Sequence, residues 1–348
     1  MGAALALARR GLGNVWPNPA VGCVLVKDGR VAGRGWTQSG GRPHAETEAL
    51  HRAGSSARGA TAYVTLEPCS HHGKTPPCAD ALIGAGVARV VVACRDPDPR
   101  VDGRGLGKLR EAGIEVVEDV LRAEAEALNA GFFLRVRENR PFVTLKLAGS
   151  LDMRIATSTG ESKWITGEAA RHRAHLLRAE HDAVMAGSGT VLADDPALDV
   201  RLPGLADLRR VRVVADGRLR TPLSAKLVAT APTQPTWILT RAEAPAFGAA
   251  GVEIVRLDAM EPRAMLAALA ERGITRLLIE GGAALASAFL RANLVDRLAI
   301  FRAGAAIGGE GLPALAELGV AKLANAPRFR LESVERVGDD TLEFRARG

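Results

Sequence analysis

The chain has 348 residues, 47% of them hydrophobic, which is enough for two domains with separate cores. Its formal net charge of +7 is shared almost evenly between residues 1–140 and the rest, so it forms no basic tail. Only 4% of the residues are aromatic, whereas proteins that bind single-stranded nucleic acid stack bases on aromatic side chains. Four cysteines are too few for a disulfide framework, and the apolar runs are too short to span a membrane. We therefore predict a cytoplasmic protein that acts on small anionic substrates and binds neither nucleic acid nor membranes.

Strand and helix patterns alternate along the first 140 residues, as is typical of a layered α/β domain. Residues 1–13 predict an amphipathic helix, and residues 21–36 predict a β-hairpin whose turn contains Asp28-Gly29. Further helices are predicted within 43–54, 78–86 and 106–113, and further strands within 59–68, 87–97 and 114–118. Residues 120–139 favour one continuous helical stretch.

A second β-rich segment, "PFVTLKLAGSLDMRIA", begins at Pro141 and places a domain boundary near residues 138–142. The predicted domains are therefore 1–140 and 141–348. Strand and helix patterns alternate again in the second domain, where residues 241–251 predict a surface loop and residues 328–347 predict two antiparallel strands.

Residues suited to binding zinc cluster where strands and helices meet in the first domain. His44 opens the second predicted helix, Cys69 follows a strand, and Cys78 opens the next helix. One histidine and two cysteines suit zinc, and three protein ligands leave one position for a water molecule, as in catalytic sites. Glu46 could move protons as general base and general acid. The alternative is a closed structural site in which His72 supplies the fourth ligand.

H-x-E followed by P-C-x-x-C is the signature of zinc nucleobase deaminases, but here nine positions separate Cys69 from the next cysteine. His44-Ala45-Glu46 together with "EPCSHHGKTPPC" closely resembles the deaminase half of the bifunctional deaminase/reductase family of riboflavin biosynthesis. The resemblance runs from "PNPAVGCVLVKDG" to about residue 201, and more loosely to the end. It implies a cytidine-deaminase-like α/β/α domain whose zinc is held by His44, Cys69 and Cys78. It also implies that the pyrimidine ribose phosphate substrate is bound by Asn18, His71 and Lys74.

The second half resembles the reductase domain of the same family, which has a dihydrofolate-reductase-like α/β fold and uses NADPH to reduce a ribosyl to a ribityl group. The segment "IEGGAALASAFL" predicts a strand, a glycine turn and a helix N-terminus that could bind a pyrophosphate, although this pattern alone is weak. The resemblance places the cofactor at Ala148, Trp164, Thr190, Asp194, Gly282, Ala283, Ala284, Leu285, Ala286, Ser287 and Ala288. It places the substrate at Ser162, Arg178, Leu198, Arg201 and Glu280.

Some residue roles in the second half follow from chemistry. Arg178 and Arg201 could each bind a phosphate through paired donors. Asp194 could handle a proton, although Asp194-Asp195 could equally form a turn before Pro196. Arg241, after the "TWILT" strand, is a candidate partner for the extra phosphate of NADPH.

Other features of the second half bear on its structure. His172, His175, Arg178 and His181 recur on a predicted helix and indicate a solvated basic face on which only Arg178 is functional. The alternative is a second metal site, although no carboxylate or thiolate accompanies these histidines at ligand spacing. Met153 stands where the family usually has glycine, and residues 301–309 depart from the family pattern. Both departures lie in the predicted reductase domain and bear on its activity.

The resemblance also implies a homodimer or a higher homo-oligomer. Two alternative functions stay open at this point. One is a zinc nucleoside or nucleic-acid deaminase with an inactive second domain. The other is a binding protein that keeps the zinc fold without catalysis, although such a protein would have no need of Glu46.

Overall fold

The computed structural model describes residues 1–71, 76–99 and 101–348. The chain divides into two compact units, Met1–Asn139 and Arg140–Gly348. Both units combine helices and strands as the sequence predicts. In the described part of the chain, no helix is both long and apolar enough to cross a membrane.

The first unit is built on a mixed sheet that starts from the predicted hairpin. Its elements are α1 (Gly2–Ala8), β1 (Gly22–Lys27), β2 (Arg30–Trp36), α2 (Ala45–Ala53), β3 (Thr61–Val64), α3 (Cys78–Gly84), β4 (Arg89–Val92), α4 (Arg104–Glu111), β5 (Glu115–Val117), α5 (Arg122–Leu128) and α6 (Ala130–Glu138). The strand order is β2-β1-β3-β4-β5. The hairpin strands and β3 pair antiparallel, whereas β3, β4 and β5 run parallel. The carboxyl end of β3 therefore leads directly to the cysteine-bearing loop.

Glycines in β2 allow α2 to lie unusually close to the sheet. A Cβ atom on Gly35 would lie 2.1 Å from the carbonyl oxygen of Ala45, and one on Gly33 would lie 2.2 Å from that of Ala49. Real Cβ atoms do not approach other atoms so closely, so any larger residue would push the helix away. This close packing sets the position of the first turn of α2, which carries His44 and Glu46.

The predicted helical stretch at residues 120–139 is two helices, because the chain breaks at Asn129. The Asn129 side chain is buried and forms two hydrogen bonds with the backbone of Ala20: its Oδ1 accepts from the amide at 2.9 Å, and its Nδ2 donates to the carbonyl at 3.0 Å. A side chain that bonds backbone groups elsewhere competes with helix continuity. The apolar pattern of these residues does not reveal this break.

The second unit has a larger sheet, in which parallel strands are followed by an antiparallel hairpin. Its elements are β6 (Phe142–Gly149), β7 (Arg154–Ala156), α7 (Glu168–Ala179), β8 (Ala183–Gly187), α8 (Ser188–Asp194), β9 (Val211–Ala215), α9 (Lys226–Ala229), β10 (Thr236–Thr240), α10 (Pro245–Ala249), β11 (Glu253–Arg256), α11 (Pro262–Glu271), β12 (Arg276–Glu280), α12 (Ala283–Arg291), β13 (Arg297–Arg302), β14 (Leu312–Pro313), β15 (Phe329–Val337) and β16 (Asp340–Arg347). The order of the main sheet is β11-β10-β9-β8-β12-β6-β13-β16-β15.

Strands β8, β12 and β6 lie side by side and parallel at the middle of this sheet. From there the chain extends to β9, β10 and β11 on one side and to β13 and the β16–β15 hairpin on the other. Ligands of open α/β sheets bind outside the carboxyl ends of strands where the strand order changes direction. The carboxyl ends of β8, β12 and β6 are therefore where a site is expected.

The prediction of a loop for residues 241–251 is wrong in part. Residues Pro245–Ala249 form the short helix α10, with Pro245 at its start and Phe247 buried. Proline is well tolerated in the first turn of a helix, and burying one phenylalanine fixes this short segment against the core. The final two antiparallel strands, β15 and β16, are present as predicted.

Candidate active sites

The three predicted zinc ligands come together at the carboxyl end of β3. His44 precedes α2, Cys69 lies in the loop after β3, and Cys78 is the first residue of α3. Their ligand atoms all lie within 4.8 Å of one another, with His44 Nδ1 at 3.3 Å from Cys78 Sγ and 3.7 Å from Cys69 Sγ. Within the described residues, this is the group of histidine, cysteine and acidic side chains that could hold a metal ion.

The two thiols of this cluster are coupled. The Cys78 amide donates a hydrogen bond to Cys69 Sγ at 3.3 Å, and bonds from the Cys78 and His44 side chains lower the pKa of the Cys69 thiol to about 4, whereas the same contact with Cys69 raises the pKa of the Cys78 thiol. A thiolate is the form that binds metal. One imidazole and two sulfur atoms form a donor set that fits zinc, and within the part of the chain that the structure describes the set has three ligands, the number found in catalytic centres.

Glu46 lies one half-turn into α2 and is buried beside the cluster, with 3% of its surface exposed. Burial raises the pKa of Glu46 to about 7, and its carboxylate is in hydrogen-bonding contact with the Cys78 side chain. The structure therefore brings a buried carboxyl group against the metal ligands, as the H-x-E spacing predicts.

Glu67 is a residue of this site that sequence reasoning did not assign. Its buried carboxylate accepts hydrogen bonds from the amides of Gly103 and Gly105, both at 3.0 Å, and contacts the amides of Asp96 and Leu106 at 3.4 Å. Glu67 thus ties the start of α4 to the loop that carries Cys69. Its position directly before the Pro68-Cys69 pair was the available signal.

The predicted pyrimidine-binding residues have partly defined surroundings. Asn18 is half-buried and packs against Gly41, where an added Cβ would lie 1.8 Å from Asn18 Nδ2. His71 is half-buried, and its Nδ1 atom is buried without a hydrogen-bond partner among the described residues. Lys74, and His72 as an alternative metal ligand, lie outside the described residues.

In the second unit, charged side chains meet at the carboxyl ends of β6 and β12. Arg178 on α7 makes a two-point ion pair with Glu280, with Nε 2.6 Å from Oε1 and the second nitrogen 2.9 Å from Oε2. Lys146 Nζ lies 4.0 Å from Glu280 Oε2. Burial alone would raise the pKa of Glu280, but the charges of Arg178 and Lys146 outweigh it and lower that pKa to about 2.

Lys146 is a further residue that the sequence analysis missed; its only signal was a cation in an otherwise apolar strand.

The expectation that Arg178 binds a phosphate stays a prediction, and the ion pair with Glu280 bears on it because the pair occupies part of the guanidinium. Its remaining terminal nitrogen donates to the Asp199 carbonyl at 2.8 Å, so each of the three guanidinium nitrogens contacts a protein acceptor. A guanidinium has five N–H donors, and at least one of them is not used by these bonds. Arg201, whose side chain is 67% exposed and 3.2 Å from the Asp199 carboxylate, keeps donors available. Leu198 is buried in the core, so only its backbone is placed to meet a ligand.

The predicted cofactor loop connects β12 to α12. Gly281 and Gly282 have φ angles of +81° and +84°, and a Cβ on either would lie 3.1 Å or 3.3 Å from Thr190 Oγ1. The loop thus leaves a cradle that a side chain would fill, beside the exposed start of α12, as a pyrophosphate site requires. The side chains of Ala286 and Ser287 are buried, and Ser287 donates to the Ala316 carbonyl, so the predicted cofactor contacts of these two residues would have to come from their backbone.

The other predicted reductase residues lie on separate elements. Ala148 and Ser162 are half-buried, near the end of β6 and in the segment before α7. Trp164 is 68% exposed, with the Arg171 guanidinium 4.5 Å from its ring centroid. Asp194 is exposed at the end of α8, and Asp195 accepts the Lys226 amide.

The prediction of a solvated histidine face holds only for His172. His175 is 8% exposed and contacts the Asp199 carbonyl and the Arg201 amide, whereas His181 bridges the Leu177 carbonyl and Thr144 Oγ1. Burial lowers the pKa of His181 to about 3. Burial also lowers the pKa of His175, and the hydrogen bonds of both rings replace the water that burial removes.

The backbone of Met153 has φ = +56° and lies in the left-handed region, which favours the glycine that the family usually has here. It follows a tight turn in which its amide donates to the Ser150 carbonyl at 2.9 Å. Asp152 in the same turn accepts from the amides of Ile307 and Gly308, which belong to the run that departs from the family pattern. The run at residues 301–309 is therefore hydrogen-bonded to the turn that carries Met153.

Comparison with known proteins finds a match for each of the two units. Residues 1–94 match the cytidine and deoxycytidylate deaminase zinc-binding region, and residues 141–342 match the RibD C-terminal domain. "Riboflavin biosynthesis protein RibD" of Aquifex aeolicus is 44% identical over 98% of this chain and 96% of its own length. The Escherichia coli protein of that name is also 44% identical, with the same coverage of both chains.

Solved structures agree along the whole chain. Acinetobacter baumannii RibD has a TM-score of 0.92 at 39% identity, covering 100% of this chain and 97% of its own. A Thermotoga maritima diaminohydroxyphosphoribosylaminopyrimidine deaminase/5-amino-6-(5-phosphoribosylamino)uracil reductase has a TM-score of 0.89 at 38% identity, with the same coverage. The predicted fold class, a cytidine-deaminase-like domain followed by a dihydrofolate-reductase-like domain, is confirmed. This chain belongs to the RibD family, the bifunctional deaminase/reductases of riboflavin biosynthesis.

Proposed function

We propose that this chain deaminates 2,5-diamino-6-(5-phosphoribosylamino)pyrimidin-4-one in residues 1–140 and reduces the ribosyl group of the product with NADPH in residues 141–348. The observation that carries this proposal is the meeting of His44, Cys69, Cys78 and Glu46 in a chain whose second unit has its own charged site. A deaminase with an inactive second domain would not need the buried Arg178–Glu280 pair beside a glycine cradle, and it is not favoured.

In the deaminase site, His44, Cys69 and Cys78 would hold the zinc ion. Zinc bound in this way acidifies a water molecule, the nucleophile of hydrolytic deamination. Glu46 lies beside these ligands, where its carboxylate can take a proton from the water and return it to the departing amino group. Its burial keeps bulk water from competing for that proton.

Substrate binding in the deaminase follows from the character of three side chains. The Asn18 amide can both donate to and accept from a pyrimidine edge. The buried Nδ1 of His71 needs a partner that the described residues do not supply, which a substrate polar group would provide. Lys74 offers a point charge for the substrate phosphate.

In the reductase site, NADPH would lie at the Gly281–Gly282 cradle and Thr190, and it supplies hydride to the anomeric carbon of the ribose. Glu280 and Lys146 would present an acceptor and a donor to the pyrimidine and ribose groups, while Arg178 keeps Glu280 charged and in place. Arg201 would bind the substrate phosphate. Ser162, Trp164 and the exposed Asp194 would complete the site, with Asp194 as the candidate for handling the ring-oxygen proton.

Two broader expectations belong to the same proposal. The substrate is a small molecule, and we expect the active form to be a homodimer or a higher homo-oligomer in the cytoplasm. Size-exclusion chromatography with light scattering would decide the oligomeric state.

The test of the function uses purified protein with the pyrimidine ribose phosphate. Ammonia release without NADPH, followed by NADPH oxidation when the nucleotide is added, is the expected result. Ammonia release without any NADPH oxidation would favour the single-activity deaminase. Release of ammonia from cytidine but not from the ribose phosphate would contradict the proposed substrate.

A further inference from the structure

Arg220 lies in the turn that follows β9, close to the predicted cofactor site. One of its terminal nitrogens donates a hydrogen bond of 2.8 Å to Oγ of Ser188, the residue directly after β8. Strands β8 and β9 are parallel neighbours, with Gly187 opposite Ala215 at their carboxyl ends. The Arg220 side chain therefore extends from the end of β9 back to the end of β8.

Asp216, the acidic residue of the same turn, is directed into the protein and not toward solvent. Asp216 is 1% exposed, and its two oxygens accept the amides of Arg220 at 3.0 Å and Thr221 at 2.7 Å. In Rossmann-type sites, which have a different fold, a carboxylate at the end of a strand binds the ribose 2′-hydroxyl of NAD, whereas an arginine nearby accommodates the 2′-phosphate of NADP. Here the carboxylate is used by its own turn and Arg220 is exposed.

Strand spacing separates Arg220 from the other candidate, Arg241. The glycine cradle follows β12, and Thr190 of α8 lies against it. Only β8 lies between β12 and β9, so the turn carrying Arg220 begins about 10 Å from the cradle, and its side chain shortens that gap by pointing toward β8. Arg241 follows β10, one strand farther, at about 14 Å. A single ribose separates the diphosphate of NADPH from its 2′-phosphate, which favours the nearer arginine.

We propose that Arg220 binds the 2′-phosphate of NADPH and that it, not Arg241, makes the reductase prefer NADPH to NADH. This inference rests on the proposed binding of the nucleotide at the Gly281–Gly282 cradle. A guanidinium suits the role because it donates in a fixed fork to phosphate oxygens. Arg220 acts on affinity alone and takes no part in the transfer of hydride.

The experiment measures nucleotide binding in the absence of pyrimidine, from the fluorescence of NADPH and NADH. In Arg220→Gln we expect the Kd for NADPH to rise by about 10- to 100-fold, the loss of one charge-assisted hydrogen bond. The Kd for NADH should stay within about twofold, because the fork has no partner on that molecule. Competition by 2′,5′-ADP should weaken equally, whereas competition by 5′-ADP should not.

Arg241→Gln is the matched control and should keep the preference for NADPH, and Arg220→Lys should restore part of it. Equal weakening of NADPH and NADH in Arg220→Gln, or loss of the preference in Arg241→Gln, would overturn the inference. A wild-type protein that binds neither nucleotide would instead contradict the proposed reductase function. A wild-type protein that prefers NADPH, together with an Arg220→Gln variant that keeps the full preference, would remove only the role of Arg220.

Discussion

The zinc site and the reductase site are assembled in opposite ways. The ligands of the zinc site and Glu46 come from two short segments, residues 44–46 and 69–78, at the end of one strand. The proposed reductase site draws on residues 146, 178, 190, 201 and 280–282, from the ends of several strands and the helix α7. The metal ligands lie close together along the chain, so they leave a recognisable spacing pattern in the sequence. The two residues of a buried ion pair can lie far apart along the chain, so they leave no such pattern.

Loss of a metal ligand is expected to have the largest effect. Cys78→Ser should reduce zinc from about one ion per chain to a small fraction, because removing a ligand costs more than the 10- to 100-fold that follows loss of a supporting contact. Elemental analysis after dialysis measures this. Cys94→Ala, which changes a buried cysteine away from the cluster, should keep its zinc. Full zinc occupancy in Cys78→Ser would remove Cys78 from the site.

Glu46→Gln sharpens the comparison by removing a proton carrier and leaving the ligands. Ammonia release should fall by about 10²- to 10⁴-fold, the usual contribution of a positioned acid–base group. The variant should still oxidise NADPH with the deaminated substrate at near wild-type rate. Arg201→Ala and Asp194→Asn should show the reverse pattern. Loss of both reactions in folded Glu46→Gln protein would break the view that the two sites work independently.

Mixing Glu46→Gln with Arg201→Ala protein tests the same independence in another way. Each variant retains one reaction, so the mixture should carry out the full two-step conversion as the intermediate diffuses between chains. Product analysis by chromatography follows it. If both half-reactions work separately and the mixture still fails, the intermediate must pass between the sites of one molecule.

Arg178→Ala tests whether the reductase site depends on its buried ion pair. Removing one partner of a buried pair costs about 3–5 kcal/mol, because the other charge is left without compensation. We expect this loss in the free energy of unfolding of the second unit, measured by hydrogen exchange of β12 amides. Arg201→Ala is the control, since an exposed ion pair contributes about 0–1 kcal/mol. If Arg178→Ala and Arg201→Ala lowered the free energy of unfolding equally, this would contradict the assignment of a buried ion pair to Arg178 and an exposed one to Arg201.

The same pair predicts a dependence on pH. The pKa of Glu280 is about 2 in the folded protein and 4.5 ordinarily, so the folded state favours the ionised carboxyl group. Its contribution, about 3 kcal/mol, is fully present above pH 4.5 and is lost as the pH falls toward 2. Glu280→Gln should flatten the stability of the second unit between these pH values. An unchanged slope would mean that other carboxyl groups dominate.

Met153→Gly should have the smallest effect, and in the stabilising direction. Glycine adopts positive φ without a steric cost, so we expect a gain of about 0.5–1 kcal/mol and a rise in Tm of about 1–4 °C. Met153→Ala keeps the Cβ atom and should not show this gain. Calorimetry of both variants would separate relief of the backbone from loss of the side chain.

The sequence supported prediction of the fold class, the hairpin and the zinc ligands, because period, turn residues and ligand spacing are local properties. It could not show that Arg178 would pair with Glu280, 102 positions away, or that His175 and His181 would be buried. A histidine on a helix is buried or solvated according to what lies opposite, which only tertiary structure decides. Lys146 and Glu67 were missed for the same reason, since each acts through partners distant in the chain.

The two hydrogen bonds between Asn129 and Ala20 span 109 residues, and they have a consequence for the order of events during synthesis. The zinc ligands are complete once residue 78 has been made, but the backbone next to Asn18 is secured only when α5 has been made and Asn129 follows it. If Asn18 binds the pyrimidine as proposed, a nascent chain therefore contains all three predicted metal ligands before the backbone of its proposed pyrimidine-binding segment is secured. Fragments ending shortly before residue 129 should accordingly retain metal while binding the pyrimidine poorly.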